Sequence, residues 1–262
     1  MDRKLTVWQA ACIITGYSVG SGIMALPYLM TYAGLEVGAF IIVAAFFFSY
    51  CMHMLLAELS MGARGSDQIV AIFSHYMVRG SVGKWVSGIS MVLVVLALFF
   101  AQAGFISGGA DVLEAAGIPE LAAILLFYAV AAAVVFFGLK VMGISESISV
   151  TVIIAVIVVL AVGSFGHLHP VDIPVGEPSG ILAFFGMTMF AFVAFFSIPQ
   201  AVIGLDYDPK KVRRAVLLGL GVNFLLIVVI VACTLATSPE VTELAMIAAA
   251  LEVSPAVLVR PR

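Results

Sequence analysis

The sequence predicts an all-α polytopic membrane protein, and three observations carry that prediction. Apolar runs of membrane-crossing length recur along the chain, two of them are interrupted by glycine or proline, and Lys and Arg gather in alternate loops. The 262 residues are 63% hydrophobic and 10% charged, with a mean hydropathy of +1.22, outside the range of soluble domains.

A crossing needs about 20 mainly apolar residues. Runs of that kind cover roughly 6–33, 36–61, 84–110, 119–139, 145–166, 180–204 and 213–236. The first holds Gly16, Gly20, Gly22 and Pro27. Glycine lowers helix stability by roughly 1 kcal/mol relative to alanine and interior proline by about 3, so this run predicts a helix unwound in mid-membrane. Irregular backbone at that depth is tolerated where it is buried in protein or lines a polar cavity. Between the second and third runs, Ile69, Val70, Ile72, Phe73, Tyr76 and Met77 recur at helical spacing within 62–83 and predict a short amphipathic surface helix. The third run carries the polar Gln102. The sixth, with Gly186, Thr188, Phe190, Phe192, Phe195, Ser197 and Pro199, shows a second interruption.

After the seventh run, residues 254–262 begin another apolar stretch and stop at Arg260, Pro261 and Arg262, which predicts a truncated or altered end. At the other end, residues 1–15 show no cleavage site for a removable signal peptide.

Positive residues in short loops stay cytoplasmic. Arg3 and Lys4, then Arg64, Arg79 and Lys84, then Lys140, then Lys210, Lys211, Arg213 and Arg214 all fall on one side. The alternate loops hold Asp111, Glu114, Glu120, Asp172, Glu177, Glu240, Glu243 and Glu252, with no Lys or Arg. The N-terminus is therefore expected in the cytoplasm, in a multi-pass protein of the plasma or inner membrane.

The formal net charge of −3 without a long basic block excludes nucleic acid as a partner. Cys12, Cys51 and Cys233 lie far apart in apolar runs and form neither a disulfide framework nor a metal motif. His167 and His169 share a loop with Asp172, where solvation is the simpler reading than metal. No acid/base pair or nucleophile appears at membrane depth, so enzymatic chemistry, cofactors and structural metals are not expected. Among intramembrane ionisable residues, Glu58 and Glu146 sit near cytoplasmic ends, and pairing with Arg64 or Lys140 is favoured over a proton relay. His53 lies deeper, as a helix-packing hydrogen bonder.

The sixth run crosses opposite to the first, so the two interruptions stand at matching positions of oppositely oriented repeats. That pattern marks the central site of a transporter. The competing reading, that the glycines only let helices approach closely, does not account for Ser18, Ser21, Pro27 and the second interruption.

The stretch Gly16-x-x-x-Gly20-x-Gly22-x-x-Ala25-Leu26-Pro27 resembles the first-helix signature of amino acid permeases of the amino acid/polyamine/organocation superfamily. The resemblance is nearest to the aromatic and hydroxy amino acid permeases and the amino acid/auxin permease-like branch. Residues 103–109, and Phe190-Ala191-Phe192 with Ser197-Ile198-Pro199, are similar to two further family segments. Ser21 and Tyr17 stand where the family often has alanine and a small hydroxylated residue.

The resemblance implies an inverted-repeat transporter fold with broken first and sixth helices, truncated here after the seventh. On it, 1–262 is one transmembrane domain, 6–166 a first five-helix repeat and 180–262 an incomplete second one. The N–H groups of Val19, Gly20, Ser21 and Gly22 would meet an α-carboxylate at a positive helix end. Carbonyls near Tyr17 and Ser18, and at Phe190, Ala191 and Phe192, would take an α-ammonium or a cation. Phe190, Phe192 and Phe195 would surround an apolar side chain, and Gln102 either faces the pathway or bonds a neighbouring helix. The function implied is import of an aromatic or neutral amino acid by Na+ or H+ symport. The alternative is a truncated half-permease that works only beside a second chain completing the bundle. A fifth run without lysine leans toward sodium.

Overall fold

The computed structural model describes residues 4–63, 69, 72, 76, 81–115, 117–164 and 169–237, and among them every regular element is helical. The first run forms α1 (Val7–Ser18) and α2 (Ser21–Ala33), and the second forms α3 (Leu35–Gly62). The third, fourth and fifth give α4 (Ser81–Ala115), α5 (Glu120–Phe136) and α6 (Leu139–Ser164). The sixth is split into α7 (Pro178–Ala191) and α8 (Ser197–Gly204), and the seventh is α9 (Pro209–Thr237).

Of the amphipathic helix expected over 62–83, Val70, Phe73 and Met77 lie outside the described residues; Ile69, Ile72 and Tyr76 are helical, with Ile72 buried. His167 and the segment from 238 onward, with its expected abrupt end, also lie outside them.

Among the described residues, four helices are long and apolar enough to cross a membrane alone: α3, α6, α9 and the 85–111 part of α4. The α1–α2 pair, bent by 55°, makes a fifth crossing if it counts as one span. α5, at 17 residues, and α7, at 14, are shorter. At 1.5 Å per residue α5 spans about 26 Å, close to the thickness of a bilayer core.

Local chemistry sets the helix ends. Thr6 and Gln9 form a reciprocal capping box at the start of α1, at 3.0 and 3.1 Å. Gly34 turns α2 into α3 at φ +90°, a conformation side chains resist, and an added Cβ would sit 2.6 Å from the Pro174 carbonyl. Asp208 opens α9: its Oδ1 accepts the N–H groups of Lys210 at 3.0 Å and Lys211 at 3.2 Å, with Pro209 at the first helical position.

The core gathers around α1, whose residues 10–15 are all buried. α1 packs on α9, α6 and α8, while α2 packs on α7. α9 approaches α1 closely because Gly219 is bare: a Cβ there would stand 2.8 Å from the Ala11 carbonyl oxygen. The Thr15 hydroxyl reaches the Gly219 carbonyl at 2.9 Å and that of Ala11 at 3.0 Å. α4 stands apart, packed chiefly on α5, with Leu93, Phe99 and Phe100 exposed as lipid-facing residues are.

Candidate functional site at two facing helix breaks

The two interruptions lie against each other. The first run leaves helical geometry at Val19 and Gly20, where α2 starts without a side-chain cap. A Cβ added to Gly22, in the first turn of α2, would lie 3.0 Å from Phe190 Cδ1 and 3.3 Å from Ala191 Cα, at the end of α7. A side chain there would crowd both residues, so glycine lets the two segments come this close. On the other side, the Tyr17 ring at the end of α1 lies 6.0 Å from the Phe196 ring that precedes α8. Because the spans run antiparallel, α1 pairs with α8 and α2 with α7, which brings break to break.

The break in the sixth run is closed by bonds within itself and by side chains of two other helices. The N–H groups of Phe192 and Val193 turn back to Met189 and Phe190 at 3.2 and 3.0 Å. The Ala194 N–H donates to His53 Nε2 at 2.9 Å, and the Ser49 hydroxyl donates to the Phe192 carbonyl at 3.1 Å. Asn223 of α9 donates its Nδ2 to the Ala191 carbonyl at 2.8 Å. His53 accepts at Nε2, so its proton sits on Nδ1, which donates to the Ser49 carbonyl at 2.7 Å. The Phe195 ring stacks on the imidazole with centroids 4.6 Å apart.

The break in the first run has no such closure. Val19 N–H still reaches Thr15 at 2.8 Å, and Ile23 N–H reaches Gly20 at 3.2 Å. Among the described residues, no hydrogen bond runs from the N–H groups of Gly20, Ser21 and Gly22 to the carbonyls of Gly16, Tyr17 and Ser18. An uncapped helix start beside an ended helix offers donors and acceptors together.

Tyr17, Ser18, Val19, Gly20, Ser21, Gly22, Phe190, Ala191 and Phe192 are thus brought to one level. Gln102 is not: it is exposed on α4, and from that helix it is Phe105 that reaches Gly20, its Cε1 3.8 Å from where a Cβ would stand. The three phenylalanine rings do not form one cage. Phe190 is exposed beside Gly22, Phe192 is fully buried against Phe46 at 6.2 Å, and Phe195 belongs to His53.

Sequence reasoning missed Phe196, Ser49 and Asn223. Asn223 carried a readable signal, as the one asparagine in the chain and set in mid-span. Glu146 also departs from expectation. It does not pair with Lys140, which lies six residues away, about 240° around α6. Its carboxyl instead occupies the space beside Gly16, where an added Cβ would overlap Oε2 and stand 2.9 Å from Cδ. A groove of about 440 Å³ along the α1–α6 seam, lined by Gln9, Ser147 and Thr151 among others, lies outside the breaks. Among the described residues no cluster of His, Cys, Asp or Glu fits a metal ion.

No curated protein matches the chain. The profile of the tryptophan/tyrosine permease family matches residues 3–257. Apolar helices around two facing breaks suit such a protein, and the chain belongs to the tryptophan/tyrosine permease family: a multi-pass membrane permease for amino acids, not an enzyme.

Proposed function

We propose that the chain imports an aromatic or neutral amino acid by cation-coupled alternating access around the two breaks. The observation that carries this reading is the contact of Gly22 with Phe190 and Ala191, which sets an uncapped helix start against the end of another helix. The N–H groups of Val19, Gly20, Ser21 and Gly22 receive the α-carboxylate. The carbonyls near Tyr17 and Ser18 receive the α-ammonium, since those of Phe190, Ala191 and Phe192 already accept from Val193, Asn223 and Ser49. A zwitterion suits that pair of ends.

Phe190 is the ring available to the substrate's side chain, because Phe192 and Phe195 are engaged elsewhere. Phe105 already stands beside Gly20 from α4, and Gln102, three residues earlier, would join it only in a state in which α4 has shifted. In this reading the chain is one transmembrane domain with a cytoplasmic N-terminus in the cell membrane. Residues 6–166 form a five-helix repeat, and 180 onward begins a second repeat inverted against it. The coupling ion is Na+ or H+.

Reconstituted into proteoliposomes, the protein is expected to accumulate labelled tryptophan or tyrosine against a gradient, with neutral amino acids competing. Exchange or accumulation of none of these would overturn the reading. Uptake that requires co-reconstitution of a partner would assign a second chain to the bundle.

A further inference from the structure

We infer that Glu146 is the proton-binding group of this permease, a conclusion that rests on the transport reading above and selects H+ among its two coupling ions. The carboxyl begins seven residues into α6, about 10 Å from the helix start, and so lies within the membrane. It fills the gap left by the absent side chain of Gly16, two residues before α1 ends at the break. No hydrogen bond or ion pair joins it to another described residue. A carboxylate in a span without a cation carries uncompensated charge, and intramembrane acids of this kind mark ion and proton pathways.

Among the described residues, the surroundings leave the proton as the compensating cation. From α1 the ionisable neighbour is Cys12, a buried thiol that carries no positive charge to offer. α8 has no ionisable side chain. α5 has Glu120 and Tyr128, both exposed. On α9, Cys233 sits beside Ser164 at the far end of α6, and Lys210, Lys211, Arg213 and Arg214 are confined to its first turns. Lys140 projects from another face of α6.

The contact with Gly16 links the acid to the substrate. Any shift of α1 that opens the break slides Gly16 along the carboxyl and changes its access to water. A proton taken from external water neutralises the carboxylate while the break faces outward, and the same proton leaves to cytoplasmic water once it faces inward. Substrate carriage and proton carriage then share one moving contact.

The test uses the full chain in proteoliposomes and reads labelled tryptophan in two modes, accumulation under an inward proton gradient and exchange between equal pH values. Wild type is expected to accumulate without sodium. Glu146→Gln is expected to lose at least about tenfold of the gradient-driven accumulation and to exchange at a rate that no longer varies with pH. Gly16→Ala puts a methyl group where the carboxyl lies, and is expected to shift the pH profile with Glu146 still present. It also serves where Glu146→Gln fails to reach the membrane. Accumulation driven by sodium alone, or unchanged pH profiles in both variants, would overturn the assignment and leave the transport reading intact. Wild type that neither exchanges nor accumulates would overturn the transport reading itself.

Discussion

The two breaks meet, yet they are built differently. The break in the sixth run is cross-braced: Ser49, His53 and Asn223, from α3 and α9, take up Phe192, Ala194 and Ala191. The break in the first run is flanked by glycine, lacks a side-chain cap on α2, and among the described residues leaves the N–H groups of Gly20, Ser21 and Gly22 unjoined to the carbonyls of Gly16, Tyr17 and Ser18. Backbone polar groups inside a bilayer need partners. The sixth run finds them in the protein, whereas in the proposed reading the first run finds them in its substrate. In that reading one break is a fixed wall and the other is the binding surface.

The largest effect on that contrast is expected from His53→Ala. The ring is wholly buried, accepts the Ala194 N–H and carries the Phe195 stack. Its loss leaves a cavity and an orphan donor, a cost of about 2–4 kcal/mol, read as a lowered unfolding temperature in detergent. Asn223→Ala removes the donor to the Ala191 carbonyl and is expected to cost about 1–2 kcal/mol in the same assay. Ser49→Ala is milder, roughly 0.6 kcal/mol, the scale of interhelical hydrogen bonds measured in membranes. An inverse order, with Ser49→Ala costliest, would show that the imidazole is not the main brace.

The smallest effect tests a region outside both breaks. The N–H groups of Lys211 and Lys210 hold the Asp208 carboxyl below its ordinary range. An acid whose folded value is lowered stabilises above its unfolded value and loses that contribution as pH falls through the folded one. Asp208→Asn is therefore expected to flatten stability against pH only in acid. The change is expected to be the same with and without His53→Ala, because the sites are separate.

Much of the fold was legible because hydrophobic run length is a strong signal. The seven runs coincide with the helices within a few residues, and Gly20 and the 192–196 stretch fall where helical geometry stops. The site was legible only in its backbone. Glycine and proline announce where a helix breaks, since they act through local propensity. They say nothing of which distant side chain fills the gap. Asn223 meets Ala191 across α9 and α7, and Ser49 meets Phe192 across 143 residues of chain, so only the packed bundle reveals them. The phenylalanines illustrate the same limit. Phe190, Phe192 and Phe195 share a short segment, but its irregular turn sends each ring to a different partner. Glu146 looked interfacial by position alone, and its register on α6 turns it toward Gly16.

On the proposed reading the meeting point of the two breaks is the amino acid site. The most direct measurement is equilibrium binding of labelled tryptophan to purified wild type, Gly22→Val and Gly186→Val. A side chain at Gly22 would press on Phe190 and Ala191, whereas a Cβ at Gly186, on the same α7, meets nothing within 4 Å. Gly22→Val is expected to weaken binding at least about tenfold, the equivalent of 1.4 kcal/mol, with Gly186→Val binding as wild type does. Equal affinities for all three proteins would contradict it.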